Sequence, residues 1–252
     1  MNIDCDNETL FLSDDLIFYT IEGEGRHIGK PSVFMRMSMC NLTCIGFASA
    51  DSPNGCDSYV SWSVKNKMTF TEIFSYMESR GYIDKLQAGA IWKLTGGEPL
   101  IQQNQLLKIC QAFKEKYGFL PHIDFETNAT IMPNPGWRNF KVTFTTSPKL
   151  TTNGDPEEKT YKPDVLKWHV RNGSDFKFVI SKSEDLDEIY RKYINPDGDI
   201  GVPTTNVWFM PCCGSRNEHI EKAPAVVEYA KAMCVNFSPR LHLLVWDLAL
   251  KV

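Results

Sequence analysis

The 252-residue sequence has no uninterrupted apolar run approaching the roughly 20 residues a membrane-spanning helix needs. It has no long run of Lys or Arg either, and 27 basic against 31 acidic residues give a formal net charge of −4. That balance counts against an electropositive nucleic-acid groove and favours a small-molecule substrate, with no direct nucleic-acid partner. The acidic opening MNIDCDNETLFLSDD lacks a basic segment followed by an apolar stretch, so it does not read as a secretory signal. Internal repeats and low-complexity tracts are missing as well. Together these absences lead to the expectation of a cytoplasmic protein with no membrane partner.

What is present is the ordinary balance of a globular chain, 42% hydrophobic and 23% charged. It suffices for a core without disulfide staples, and one domain over residues 1–252 is expected. Thiols stay reduced in the cytoplasm, so the eight cysteines are not expected to form four disulfides. Metal ligation is the first question to ask of them.

Apolar runs alternate with helical patterns. Residues 32–37 (SVFMRM) read as a buried strand, and residues 69–80 as a helix with Thr69 at its N-cap. A strand over 90–94 runs into Gly96-Gly97, and 100–117 has helical apolar spacing. Further strands are expected at 122–125, 141–145, 175–180, 207–210 and 241–246, with helices over 185–193 and 223–233. Such alternation implies an α/β fold with a mainly parallel sheet, whose sites gather at the C-terminal ends of the strands. Residues 48–55 are turn chemistry, and 151–163 read as a polar surface excursion.

Three residues separate Cys40 from Cys44, and eleven separate Cys44 from Cys56. Three thiolates suit a 4Fe–4S cluster that leaves one iron open. A structural zinc site and three unrelated core cysteines are the alternatives, although residues 40–57 supply no histidine and no fourth cysteine. Thr95-Gly96-Gly97-Glu98-Pro99 follows a predicted strand and opens a helix. Taken alone it is either a ligand-approaching turn or a plain strand-to-helix junction with Pro at the first helical position.

In combination these segments resemble a known family. Cys40-Asn41-Leu42-Thr43-Cys44 resembles the start of the radical S-adenosylmethionine (SAM) signature C-x-x-x-C-x-x-C, with Phe47 where the third cysteine is expected. Cys56-Asp57-Ser58 is similar to the C-D-T that ends it, as though residues 48–55 were inserted between the second and third ligands. Gly96-Gly97-Glu98-Pro99 is similar to the G-G-E-P motif of the same superfamily. Ile21-Glu22-Gly23-Glu24-Gly25, Gly29-Lys30-Pro31 and Phe34-Met35-Arg36 resemble the Q-G-E-G, G-x-P and F-x-R opening of 7-carboxy-7-deazaguanine synthases. Residues 126–130 (ETNAT) and Ser147-Pro148-Lys149 are similar to that family's E-T-N-G-T and S-P-K, and Phe209-Met210-Pro211 and Arg240-Leu241-His242 also fit it.

The resemblance implies a partial, incomplete TIM-type barrel of the radical SAM fold. It implies an enzyme, a carbon–nitrogen lyase, that converts 6-carboxy-5,6,7,8-tetrahydropterin to 7-carboxy-7-deazaguanine with loss of ammonia, a precursor step for queuosine. The implied cofactors are a 4Fe–4S cluster on Cys40, Cys44 and Cys56, SAM held by Gly97, Glu98, Ser147, Pro148 and Lys149, and Mg2+ at Ser58. The pterin substrate would meet Ile21, Glu22, Gly23, Arg36 and Thr95, with no catalytic side chain because the radical arises on SAM. An Arg fork suits a substrate carboxylate, but equally a structural ion pair. An external flavodoxin- or ferredoxin-type electron donor and a homodimer are implied too. Two other readings stand beside this one: a glycyl-radical-enzyme activase of the same superfamily, and a non-catalytic zinc-binding regulatory protein. Cys212 and Cys213 are read as structural thiols on a strand, Cys5, Cys110 and Cys234 as packing residues, His242 as a strand-end histidine, and His27 as lining the mouth of the site.

Overall fold

Segments such as Pro31–Met37, Ile91–Gly96 and Asp175–Ile180 are buried along nearly their whole length. Continuous burial of this kind is the condition of a parallel strand covered by helices on its faces. The computed structural model describes residues 3–48, 53–56 and 58–249, the Asp15 side chain excepted. Its strands are β1 (Thr9–Ile21), β2 (Pro31–Met37), β3 (Asn66–Thr69), β4 (Ile91–Gly96), β5 (Ile123–Thr127), β6 (Val142–Thr146), β7 (Asp175–Ile180), β8 (Val207–Pro211) and β9 (Asn236–Phe237). They form one sheet in the order β3-β1-β2-β4-β5-β6-β7-β8-β9. From β2 to β9 every pairing is parallel, while β1 runs antiparallel to both β2 and β3. First and last strands do not pair, so the expected α/β sheet is open, as in a partial barrel.

The helices are α1 (Tyr59–Trp62), α2 (Phe70–Ser79), α3 (Tyr82–Gln87), α4 (Gln103–Tyr117), α5 (Glu157–Thr160), α6 (Pro163–Arg171), α7 (Glu184–Ile189), α8 (Arg216–Ala232) and α9 (Leu241–Trp246). Thr69 caps α2 in a capping box, accepting from the Glu72 amide while the Glu72 carboxylate accepts from its own. One apolar core joins β1, β2, β4 and β5 to α2 and α4 through Trp92, Phe74, Phe113 and Phe125. A second joins β7 and β8 to α6, α7 and α8 through Leu166, Phe176, Phe178 and Phe209. Each large side chain so buried contributes about 1.5–3 kcal/mol. No helix among the described residues is long and apolar enough to cross a membrane.

Several expectations are corrected. Residues 241–246 (LHLLVW) form helix α9, not a strand; a short apolar run has no period that separates the two. His242 therefore lies on a helix. Cys212 and Cys213 follow β8 rather than lying on it, and Cys234 is exposed rather than packed. Helix α8 begins at Arg216, capped by Ser215, well before residue 223. Strands β1, β3 and β9 were not expected. In β1 the alternation breaks at a register shift between Leu12 and Ile17, with Leu16 at φ 51°.

The turn between β1 and β2 also departs from expectation. Ile21 pairs with Pro31, the first residue of β2, and Arg26 lies 2.7 Å from Asp175, the first residue of β7. Residues 22–28 thus cross the N-terminal end of the parallel strands, opposite the cysteines. The same turn ties the two margins of the sheet: the Gly23 carbonyl accepts from Leu241 N at 2.9 Å, and Gly25 N donates to Ser238 Oγ at 2.8 Å.

Candidate active site

A cavity of about 320 Å³ lies within the curve of the sheet. Cys40, Cys44 and Cys56 line one end and Ile21, Glu22, Gly23 and Glu24 the other. Between them stand Arg36, Ser58, Thr95, Gly97, Ser147 and Lys149, so nearly every residue singled out in the sequence meets here. Pro148 is buried but does not line the cavity, and neither do Glu98 and His27. Of the expected loop, residues 49–52 lie outside the described residues, as does Asp57.

The cysteine donors fit a cluster. Cys44 is buried, and the Asn153 amide donates to its Sγ at 3.6 Å; Trp62 Nε1 donates to Cys56 Sγ at 3.5 Å. Burial pushes the Cys40 thiol up to about 12, so this sulfur carries its charge only beside a cation. Three sulfurs with N–H donors aimed at two of them are a donor set for iron. Among the described residues no three His, Cys, Asp or Glu side chains gather closely enough for a single metal ion.

The G-G-E turn is held against the cysteine segment by backbone alone. Gly97 N donates to the Met37 carbonyl at 3.1 Å and Glu98 N to that of Met39 at 2.9 Å. A Cβ on Gly97 would overlap the Met39 carbonyl oxygen and come within 2.9 Å of Cys40 Cβ, so only glycine permits this approach. The Glu98 carboxylate turns inward, accepting from Leu100 N at 3.0 Å, Thr127 Oγ1 at 2.8 Å and Asn128 N at 2.7 Å. Glu98 therefore acts from behind the cavity wall, pinning the turn to β5. Asn41 extends that pinning, accepting from Asn128 Nδ2 at 2.9 Å and donating to Thr130 Oγ1 at 2.8 Å.

A buried ionic layer that sequence reading missed forms part of the cavity wall and reaches behind it. Lys93 Nζ lies 2.8 Å from Glu22 Oε2 and 2.6 Å from Asp124 Oδ2. Burial alone would lower the Lys93 ammonium, but Asp124, Glu22 and Glu126 together raise it well above its ordinary value. Lys177 pairs with both Glu24 and Glu126, and Arg240 Nε meets Glu24 Oε1 at 2.9 Å. Burial would raise Glu24, yet Lys177 and Arg240 outweigh it and bring the carboxyl down to about 2. Glu126 is likewise held below the usual range, with Lys177 and Lys93 overcoming burial. A legible signal existed: Lys93 and Lys177 are the single cations of mostly apolar strands (IWKLTG, DFKFVI), and Asp124 and Glu126 are the only acids in IDFET. Charges there are buried and must be paired.

Arg36 lies on the cavity wall with Nη1 3.4 Å from Ser58 Oγ and its guanidinium 6.0 Å from the Phe18 ring, which stacks on Phe34 at 5.1 Å. Lys149 Nζ donates to Ser147 Oγ at 3.0 Å. Over 234 residues, 91% of this chain and 92% of the relative, the sequence is 28% identical to the 7-carboxy-7-deazaguanine synthase of Pyrobaculum aerophilum. It is 29% identical over 237 residues to that of Hyperthermus butylicus, spanning 91% of this chain and 90% of the other. Over nearly its whole length the chain is similar to 7-carboxy-7-deazaguanine synthases. No family model matches it. The fold is shared with the crystal structure of QueE from Escherichia coli, at a TM-score of 0.61 and 19% identity over 94% of this chain and 96% of that one. Against that family's pattern, the Glu in I-E-G-E-G is matched inside the chain: Glu22, standing for the usual Gln, is the partner of Lys93. His242 and Arg240 join the cavity lining through α9 and the residue before it.

Proposed function

We propose that this protein converts 6-carboxy-5,6,7,8-tetrahydropterin to 7-carboxy-7-deazaguanine with loss of ammonia, as a radical SAM lyase. The observation that carries the reading is the convergence on one cavity of Cys40, Cys44 and Cys56 at one end and the 21–24 turn at the other, with Arg36, Gly97, Ser147 and Lys149 between them. Cys40, Cys44 and Cys56 hold the 4Fe–4S cluster in this reading, and Gly97, Ser147 and Lys149 hold SAM. Bound there, the reduced cluster and SAM supply hydrogen-atom abstraction, chemistry no side chain performs.

The residues of the chain bind, orient and exclude water. Arg36 offers its planar fork to the substrate carboxylate. Ser58, within reach of Arg36, supplies a hard oxygen for a magnesium ion beside that carboxylate. Thr95 Oγ1, 3.3 Å from Glu126 Oε2, and the backbone of Ile21, Glu22 and Gly23 face the pterin edge. Phe18 and Phe34 keep that wall dry. Glu98 and Pro148 act at one remove, shaping the turns that carry Gly97, Ser147 and Lys149. The protein works in the cytoplasm as a homodimer, with a flavodoxin- or ferredoxin-type electron donor.

Anaerobic reconstitution with iron and sulfide, followed by SAM, dithionite, Mg2+ and the carboxytetrahydropterin, tests the reading. Formation of 7-carboxy-7-deazaguanine and ammonia is expected, with no cluster and no product in Cys56→Ala. A protein that binds zinc without sulfide, or that releases 5′-deoxyadenosine only when a partner protein is added, would overturn it. The first outcome belongs to a zinc regulator and the second to a glycyl-radical activase.

A further inference from the structure

Residues 151–163, expected to be a surface excursion, begin with a segment that is packed against the cysteine loop. Asn153 is fully buried, 109 positions along the chain from Cys44. Its Nδ2 donates to Asp155 Oδ2 at 2.9 Å and to Cys44 Sγ at 3.6 Å, and its Oδ1 accepts from Asp155 N at 3.0 Å. Asp155 in turn accepts from Thr43 N at 3.0 Å, Thr43 Oγ1 at 2.8 Å and Cys44 N at 2.8 Å. Backbones touch as well: a Cβ on Gly154 would lie 3.0 Å from Gly46 N, and one on Gly46 would overlap the Thr152 carbonyl oxygen. The far side is anchored, since Thr151 N donates to the carboxylate of Glu188 on α7 at 3.0 Å.

Cys44 needs holding. Its backbone is left-handed, at φ 52° and ψ 35°, a region that non-glycine residues occupy only when their surroundings impose it. Eleven residues then intervene before Cys56. A connection of that length closes at an entropic cost and does not by itself fix the geometry of the residue that starts it. We propose that Asn153 and Asp155 are positioning residues that clamp the cluster loop at Cys44, and that the Asn153 amide raises the reduction potential of the cluster held there. The inference rests on Cys40, Cys44 and Cys56 being the ligands. An N–H donor to a ligand sulfur stabilises the reduced, more negative cluster, so its loss makes reduction harder.

The test uses the reconstituted full-length protein, with readouts independent of turnover. Wild type, Asn153→Ala, Asn153→Ser, Asp155→Ala and Asp155→Asn are compared by iron and sulfide content, electron paramagnetic resonance and redox titration. Asn153→Ala is expected to keep its iron while reduction becomes about tenfold less favourable, which is about 59 mV more negative for one electron. Asp155→Ala is expected to lose at least half of its iron on gel filtration, and Asp155→Asn to keep more than Asp155→Ala. Circular dichroism of the iron-free proteins verifies folding, and Asn153→Ser carries the potential measurement if Asn153→Ala does not fold. An unchanged potential in the folded Asn153 variant, or full iron in Asp155→Ala, overturns the clamp while leaving the active-site reading intact. A wild-type protein that assembles no cluster refutes that reading itself.

Discussion

Lys93 Nζ stands 2.8 Å from the carboxylate of Glu22, with both side chains buried. Glu22 Oε1 meanwhile accepts from the amides of Gly23 at 2.9 Å and Glu24 at 3.2 Å, so the shape of this cavity-lining turn depends on the pair. Lys93→Met leaves Glu22 and Asp124 without their shared cation. It is expected to cost about 3–5 kcal/mol in urea unfolding. Glu22→Gln with Lys93→Met should cost clearly less than the two single changes added together. Strict additivity in that double-mutant cycle would show that the pair is not coupled.

Gly97→Ala tests the close approach of the G-G-E turn to the cysteine segment. The added methyl meets the Met39 carbonyl and the Cys40 side chain. The variant should fold, with unchanged far-ultraviolet circular dichroism, but hold less than about a third of the wild-type iron, because overpacking displaces Cys40, a cluster ligand in the proposed reading. Normal iron content would mean that the turn does not position Cys40.

Burial brings the His27 imidazole down to about 4, against the opposing pull of Asp124 at 3.8 Å. Its folded value lies below the unfolded one, so the unfolded chain binds the extra proton. Stability from this group is present above about 6.5 and is lost as the pH falls from there toward about 4, by at most about 3 kcal/mol. His27→Asn should flatten that part of the stability–pH curve. An identical slope in the variant would contradict the assignment.

The opposite sign applies to Glu98, whose carboxyl burial pushes up to about 7 despite the amides of Asn128 and Leu100. The folded protein holds this proton more tightly than the unfolded chain. Glu98 therefore costs stability as the pH rises from about 4.5 to about 7, and Glu98→Gln should remove that dependence. Glu98→Ala, which strands the amides of Leu100 and Asn128 and the Thr127 hydroxyl, should cost at least about 2 kcal/mol below about pH 4.5, measured by denaturant unfolding, and less as the pH rises toward 7.

Much of this site was legible because its chemistry is local in the chain. A strand followed by Cys40, a strand followed by Gly96-Gly97, and Ser147 just after β6 each pair a recognisable period with a residue type of narrow use. The α2 capping box was legible for the same reason, since Thr69 and Glu72 lie within one helical turn. Where local signals were ambiguous the reading failed. LHLLVW is short and apolar throughout, and β1 hides its period behind a bulge.

By itself the sequence determined the cysteines, glycines and other residue types of the cavity, their order and the parallel strands that carry them, because side-chain period and turn chemistry are written over a few neighbouring residues. Only the tertiary structure decided that residues 22–28 cross the sheet at the end opposite the cysteines, that Glu22 meets Lys93, and that Asn153 reaches Cys44. Those relationships join positions tens to more than a hundred residues apart. Their physical basis is the pairing demanded of buried charges and amides, and which partner each one finds is fixed only when the sheet curves and brings them together.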